Sequence, residues 1–208
     1  GIDFNKLKIS RKAGASLNDC VIITEYALAA KGSESPVTSW VKANSDAEAV
    51  FTKVDGTKEY DFKVVNQKNM GLSEARNTGV KSSTGDYLIF LDSDDYIEKD
   101  LLKEINKSLK NKPDLVRYQV KMVWENSTKE LDYSEKCFTG KNGVDSFNII
   151  SGYHFVETAW AYAYRREYFI ENNFSFKKGM IHEDFGLVPL VILKARIINS
   201  ISYVGYCY

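Results

Sequence analysis

The sequence predicts an α/β fold, a mixed and mainly parallel sheet flanked by helices. Between residues 60 and 110, strand-like and helix-like stretches alternate, the pattern of a layered α/β sheet. Tyr87-Leu88-Ile89-Phe90-Leu91 is an unbroken apolar run, as expected of a strand covered on both faces. The acidic cluster Asp92-Ser93-Asp94-Asp95 follows it directly. Ligands of open α/β sheets bind beyond the carboxyl ends of the strands, so these acids stand where a ligand site is expected.

The elements follow in order. The first sixty residues allow two threadings. In one, Cys20 to Thr24 is the first strand, Pro36 to Ala47 a helix capped by Ser35, and Val50 to Val54 a second strand. In the other, strands begin at Lys8 and Val37, and residues 16–30 and 46–54 are helices. Phe62 to Val65 is a short β-like run, and Asn66 to Gly71 carries turn chemistry. Leu72 to Ser83 reads as a helix with Leu72, Ala75 and Gly79 on one face and Arg76 and Asn77 beside it. After the apolar strand, Glu98 to Lys110 is a helix with Leu101, Leu102, Ile105 and Leu109 as its stripe. Asp114 to Val120 is a strand, 121–145 is polar loop or hairpin, and Gly143 to Ser151 is a helix. Ala159 to Tyr164 is a strand leading into a short helix at Arg165 to Phe169. His182-Glu183-Asp184 precedes an apolar helix with Phe185, Leu187, Leu190, Val191 and Leu193. Ile198 to Tyr208 is the closing strand, so the protein is expected either to be short or to continue past it.

The bulk numbers fit one domain. A chain of 208 residues buries roughly 70% of its unfolded surface, so no disulfide or structural metal is required. Lys+Arg and Asp+Glu number 28 each, which gives no reason to expect nucleic acid as a partner. Cys20, Cys137 and Cys207 are scattered and odd in number, so a reducing compartment is expected and no zinc site is suggested. No signal peptide opens the chain and no run of 18 apolar residues occurs. A cytoplasmic protein is therefore expected.

Asp92 and Asp94 are hard oxygen ligands suited to Mg²⁺ or Mn²⁺. The alternative is a solvated turn with helix-capping acids. Glu183 and Asp184 admit a base or an N-terminal helix cap. Arg76 admits an anion contact or a surface pair with Glu74 or Asp86.

The run Asn66-Gln67-Lys68-Asn69-Met70-Gly71-Leu72-Ser73-Glu74-Ala75-Arg76-Asn77-Thr78-Gly79, then Gly85-Asp86 through Asp95, closely resembles the family 2 glycosyltransferases with the A-type nucleotide-diphospho-sugar fold. A second block agrees: Trp160, Tyr164-Arg165-Arg166, Phe169, Asn172 to Phe176, Gly179 and His182-Glu183-Asp184. The resemblance implies a bacterial surface-polysaccharide enzyme, of the kind that makes capsule or cell-wall polymer. Its donor would be a nucleoside-diphosphate sugar, most often a UDP-sugar, and its acceptor a glycan or glycolipid. It implies an inverting displacement, Mn²⁺ or Mg²⁺ as cofactor, and peripheral association with the inner face of the membrane. By position, Asp92 and Arg76 would serve the donor, Asp94 the metal and Asp184 the acceptor proton. Asp95, His182 and Glu183 would support them. Residues 1–112 would form the nucleotide-sugar half and 113–208 the acceptor half.

The sequence departs from the family at its N-terminus. Relatives carry Pro-x-Tyr-Asn and Asp-Asp-Gly-Ser there, which hold the nucleotide base. The nearest remnants are Asn44-Ser45-Asp46 and Val54-Asp55-Gly56-Thr57, with Asp55 as the donor-side candidate. Tyr162 stands where many relatives have Lys. Two rivals remain: a degenerate, non-catalytic binding module, and a nucleotidyltransferase with Arg11 to Ser16 as its phosphate loop. Trp160 is either a sugar-stacking residue or core.

Overall fold

A computed structural model gives the structure of the chain. It describes 20–24, 50–52 and 59–61 as backbone strands, Val65 and Gln67, and then 70–92, 95–124, 127–131, 136–152 and 155–208. The strands are β1 (Cys20–Thr24), β2 (Val50–Thr52), β3 (Glu59–Asp61), β4 (Tyr87–Leu91), β5 (Tyr96–Ile97), β6 (Leu115–Trp124), β7 (Ser127–Leu131), β8 (Phe138–Lys141), β9 (Tyr162–Arg165) and β10 (Ile198–Cys207). The helices are α1 (Leu72–Ser82), α2 (Leu101–Lys107), α3 (Gly143–Ile150), α4 (Arg166–Glu171) and α5 (Val188–Lys194).

The class is α/β, as the alternation predicts. One mixed sheet has the order β1-β4-β9-β6-β10-β5, with β7 added to β6 and β8 to β10. Strands β1 and β4 are parallel, as are β6 and β10. Strand β9 runs antiparallel between β4 and β6, so β1, β4, β6 and β10 share one direction. Among the described strands most neighbouring pairs are antiparallel, because β9 inserts between β4 and β6 and because β5, β7 and β8 add antiparallel to β10 and β6. Strands β2 and β3 form a separate antiparallel pair. Strands β1 and β2 fall where the first threading places them, whereas its helix 36–47 lies outside the described residues.

The apolar run of β4 is buried at all five positions, as a strand covered on both faces must be. Helix α2 starts later than the periodicity predicts. The Glu98 N–H donates to the Gly205 carbonyl at 2.8 Å, which keeps the chain tied to β10 until Asp100. The apolar stripe of α5 also differs from the expected one. Val188, Val191 and Ile192 are buried, while Leu190 and Leu193 are exposed. Helical spacing puts the first three on one face and turns the two leucines outward. Among the described residues, no helix is long and apolar enough to cross a membrane.

Asp114 ties the far end of the sheet together. It is 1% exposed and accepts from Arg165 Nε at 3.2 Å and from the Arg196 N–H at 2.7 Å. Burial alone would raise its carboxyl, but these bonds and charges outweigh it and hold Asp114 below the ordinary value. A depressed carboxyl stabilises the fold above the unfolded value of about 3.9, and that contribution disappears as pH falls through the folded value. Asp114→Asn is therefore expected to cost about 3 kcal/mol at pH 7. Thermal unfolding of both proteins should show this gap closing below about pH 4.

Candidate active site

The site is assembled by α1. Gly71 precedes the helix with φ +86°, a left-handed conformation that favours glycine. One face of α1 is stitched to the segment 176–183. Ser73 Oγ donates to the Lys177 carbonyl at 2.8 Å. The Asn77 amide donates to the Phe176 carbonyl at 2.8 Å and accepts from the Phe176 N–H at 2.9 Å. Arg76 lies between them and is 3% exposed. Its Nη2 donates to Asp92 Oδ1 at 2.7 Å, and its Nη1 donates to Glu183 Oε1. The guanidinium sits 5.4 Å from the Phe176 ring centroid and 5.9 Å from that of Phe90, a geometry that favours a cation.

Arg76 thus bridges the two acidic motifs that the sequence singles out. Its partners are neither Glu74 nor Asp86. Glu183 is 5% exposed. Burial raises its carboxyl above the ordinary value, Arg76 opposes this, and the nearby charges of Asp184 and Asp92 add to the rise. Asp184 is half-buried. Its Oδ2 accepts from the Ala159 N–H at 3.3 Å and its Oδ1 from the Phe185 N–H at 3.0 Å. Helix α5 begins later, capped at Leu187 without a side-chain bond, so Asp184 is not its side-chain cap. His182 is exposed and adopts a left-handed φ of 55°, which turns the chain just ahead of Glu183.

Asp95 is 6% exposed and Tyr206 fully buried. The Tyr206 hydroxyl donates to Asp95 Oδ2 at 2.6 Å and accepts from the Asp92 N–H at 3.1 Å. Burial, then the charges of Asp92 and Asp95, raise the Tyr206 hydroxyl far above its ordinary value, so it remains a proton donor. Trp160 stacks on Tyr206 at 4.5 Å and 9°, and on Tyr208 at 5.5 Å and 16°. At 4% exposed, Trp160 is core and has no room for a sugar. Tyr162 is also internal, donating to the Val156 carbonyl at 2.7 Å. Burial pushes its hydroxyl up to about 12.

Sequence reading passed over Asn77 and Tyr206. Asn77 lies within the resembling motif, which is a usable signal. Tyr206 has no signal beyond the alternating aromatics Tyr206 and Tyr208 at a strand end. Asp55 and Asp94 lie outside the described residues. Among the described residues no group of three or more His, Cys, Asp or Glu could hold a metal ion. The carboxylates near Arg76 are nonetheless all hard oxygen donors. One or two carboxylates plus substrate phosphates is the usual way to hold Mg²⁺, but Asp92 and Glu183 each already accept from Arg76.

Comparisons with known proteins agree with this architecture. The cholesterol galactosyltransferase of Borreliella burgdorferi is 28% identical over 160 residues, covering 71% of this chain and 44% of that protein. Glycosyltransferase GlyA of Streptococcus pneumoniae is 36% identical over 66 residues, covering 32% of this chain and 10% of that protein. The chain thus spans less than half the length of these curated relatives. The crystal structure of S. aureus TarS 1-349 in complex with UDP-GlcNAc matches with a TM-score of 0.54 at 23% identity, over 67% of this chain and 39% of that one. The model of the family described as "Glycosyl transferase family 2" matches residues 44–183, more than half of the sequence, and the chain therefore belongs to glycosyl transferase family 2.

Proposed function

We propose that this chain transfers a sugar from a nucleoside-diphosphate sugar, a UDP-sugar, to a hydroxyl of a glycan or glycolipid, with inversion at the anomeric carbon. The setting we infer is cell-surface polysaccharide synthesis at the cytoplasmic face of the membrane. One observation carries the reading: Arg76 clips Asp92, at the end of β4, to Glu183, next to Asp184. A donor-side acid and an acceptor-side acid are thereby held at one place in the fold. The complex of TarS with UDP-GlcNAc supports the choice of donor.

In the reaction the bond between the anomeric carbon and the diphosphate oxygen breaks as the acceptor oxygen attacks from the opposite face. Asp184 takes the acceptor proton, and the nucleoside diphosphate leaves with the bonding electrons. General base catalysis needs the carboxylate within hydrogen-bond reach of the acceptor oxygen, and half-burial leaves Asp184 open to one. Arg76 serves the donor side through Asp92 rather than by touching the diphosphate, because the guanidinium is buried between two carboxylates and two rings. Asp94 would hold Mn²⁺ or Mg²⁺, which when bound neutralises charge on the departing diphosphate.

A screen of nucleotide sugars with Mn²⁺ and candidate acceptors, read by nucleoside diphosphate release, tests the reading. Release from one donor, raised by acceptor, is the expected result. No release from any donor, together with no UDP binding by calorimetry, would leave the non-catalytic module as the better description. Asp94→Ala is expected to weaken Mn²⁺-dependent UDP binding about a hundredfold, and unchanged binding would remove Asp94 from the metal site.

A further inference from the structure

We infer that the exposed turn from Lys177 to Gly186, which carries Asp184, docks on an anionic lipid surface, and that the acceptor sugar is presented on a lipid headgroup rather than free in solution. The acceptor class rests on the proposed role of Asp184 as base; the docking surface does not. Lys177 to His182 are exposed at six consecutive positions, and Phe185 and Gly186 are exposed just beyond them. Three of these side chains are large and apolar: Ile181 is 82% exposed, Phe185 63% and Met180 42%. Met180 Cε lies 3.3 Å from the position a Cβ on Gly186 would take, so the two ends of the turn share one patch. Lys178 Nζ reaches Met70 Sδ at 3.9 Å. Met70 is itself exposed, and it extends the patch to the start of α1, the helix that carries Arg76.

The apolar tips are held outward by the backbone behind them. Ser73 and Asn77 fix Phe176 and Lys177, the Met180 N–H donates to the Lys177 carbonyl at 3.3 Å, and the Phe185 N–H donates to the His182 carbonyl at 3.2 Å. Exposed apolar groups rimmed by polar ones mark an interaction surface, and the charges select its partner. The acids of the turn are Glu183, buried against Arg76, and Asp184, half-buried. No acid of the turn is exposed, whereas both lysines are. A second copy meeting this patch about a two-fold axis would set lysines against lysines, and the buried centre of a protein interface is depleted in lysine. At an anionic bilayer both features are favourable: the apolar tips enter the boundary between headgroups and acyl chains, and the lysines meet the negative surface. Asp184 stands between Ile181 and Phe185 in the chain, so the hydroxyl it would deprotonate lies at headgroup level.

The test sediments the chain, without nucleotide, with vesicles of equal parts phosphatidylglycerol and phosphatidylcholine, and with vesicles of phosphatidylcholine alone. Binding to the first and little to the second is expected. Ile181→Ser together with Phe185→Ser should weaken the partition about a hundredfold, and Lys177→Gln together with Lys178→Gln about thirtyfold. Thermal unfolding checks that each variant keeps its fold, and if the serine pair does not fold, the lysine pair decides. Transfer to a glycolipid acceptor in the anionic vesicles should fall in step with binding in the lysine pair, while transfer to the same glycan freed of its lipid should not. No binding by the wild-type chain, equal binding by wild type and folded variants, or self-association in light scattering that the serine pair abolishes overturns the docking surface. Transfer to the free glycan as fast as to the glycolipid overturns the acceptor class. Vesicle binding as expected, with no transfer to any acceptor, overturns the proposed reaction and supports the docking surface.

Discussion

Arg76→Ala is expected to abolish detectable transfer and to cost about 3–5 kcal/mol of stability, the range for removing one partner of a buried ion pair. The substitution strands Glu183, which is 5% exposed, and releases Asp92 from its 2.7 Å contact. It also empties the space between Phe90 and Phe176. The pH dependence of the loss follows from Glu183. Its carboxyl already lies above its ordinary value through burial, with Arg76 opposing the rise, so removing Arg76 drives it higher. A carboxyl raised in the folded state favours folding below the unfolded value of about 4.3 and loses that contribution as pH rises through the folded value. Thermal unfolding should therefore show the largest deficit at neutral pH and partial recovery towards about pH 4. Arg76→Lys should recover only part of the activity, since a single ammonium lacks the fork that reaches two carboxylates. A variant with wild-type stability and activity would mean that the bridge is incidental.

Asp184→Asn is expected to slow transfer by about 10²–10⁴-fold, the usual value of a general base, with nucleotide binding unchanged. The amide keeps one oxygen for the Ala159 N–H and loses the acceptor that faces the Phe185 N–H, so unfolding should shift by about 1 kcal/mol, the usual value of one hydrogen bond. The contrast between lost turnover and retained UDP affinity is what separates a base from a structural acid. Calorimetry with UDP and Mn²⁺ alongside steady-state rates makes the comparison. Loss of affinity equal to the loss of rate would place Asp184 on the donor side instead.

Local pattern carries some of this structure and not the rest. Helix α1, strand β4 and the acid turn between β4 and β5 are legible because each is specified by its own neighbours: an apolar run, a turn glycine, a helical period. The outward-facing Leu190 and Leu193 were not, because both helix faces there are apolar in sequence and only packing against the sheet selects Val188, Val191 and Ile192. Trp160 was ambiguous for a related reason. Its ring suits a sugar or a core equally, and the stack with Tyr206 and Tyr208 decides for the core.

The sequence by itself determined the α/β class, the family, and the two acidic motifs as the places to look, since those depend on short-range spacing and residue chemistry. Only the tertiary structure decided what joins them. Arg76 and Glu183 are 107 positions apart, and Tyr206 and Asp95 are 111 apart. No local periodicity encodes such contacts. They exist because β9 returns beside β4 and β10 pairs with β5, just past Asp95, and because burial forces each charge to find a partner wherever the fold brings one within reach.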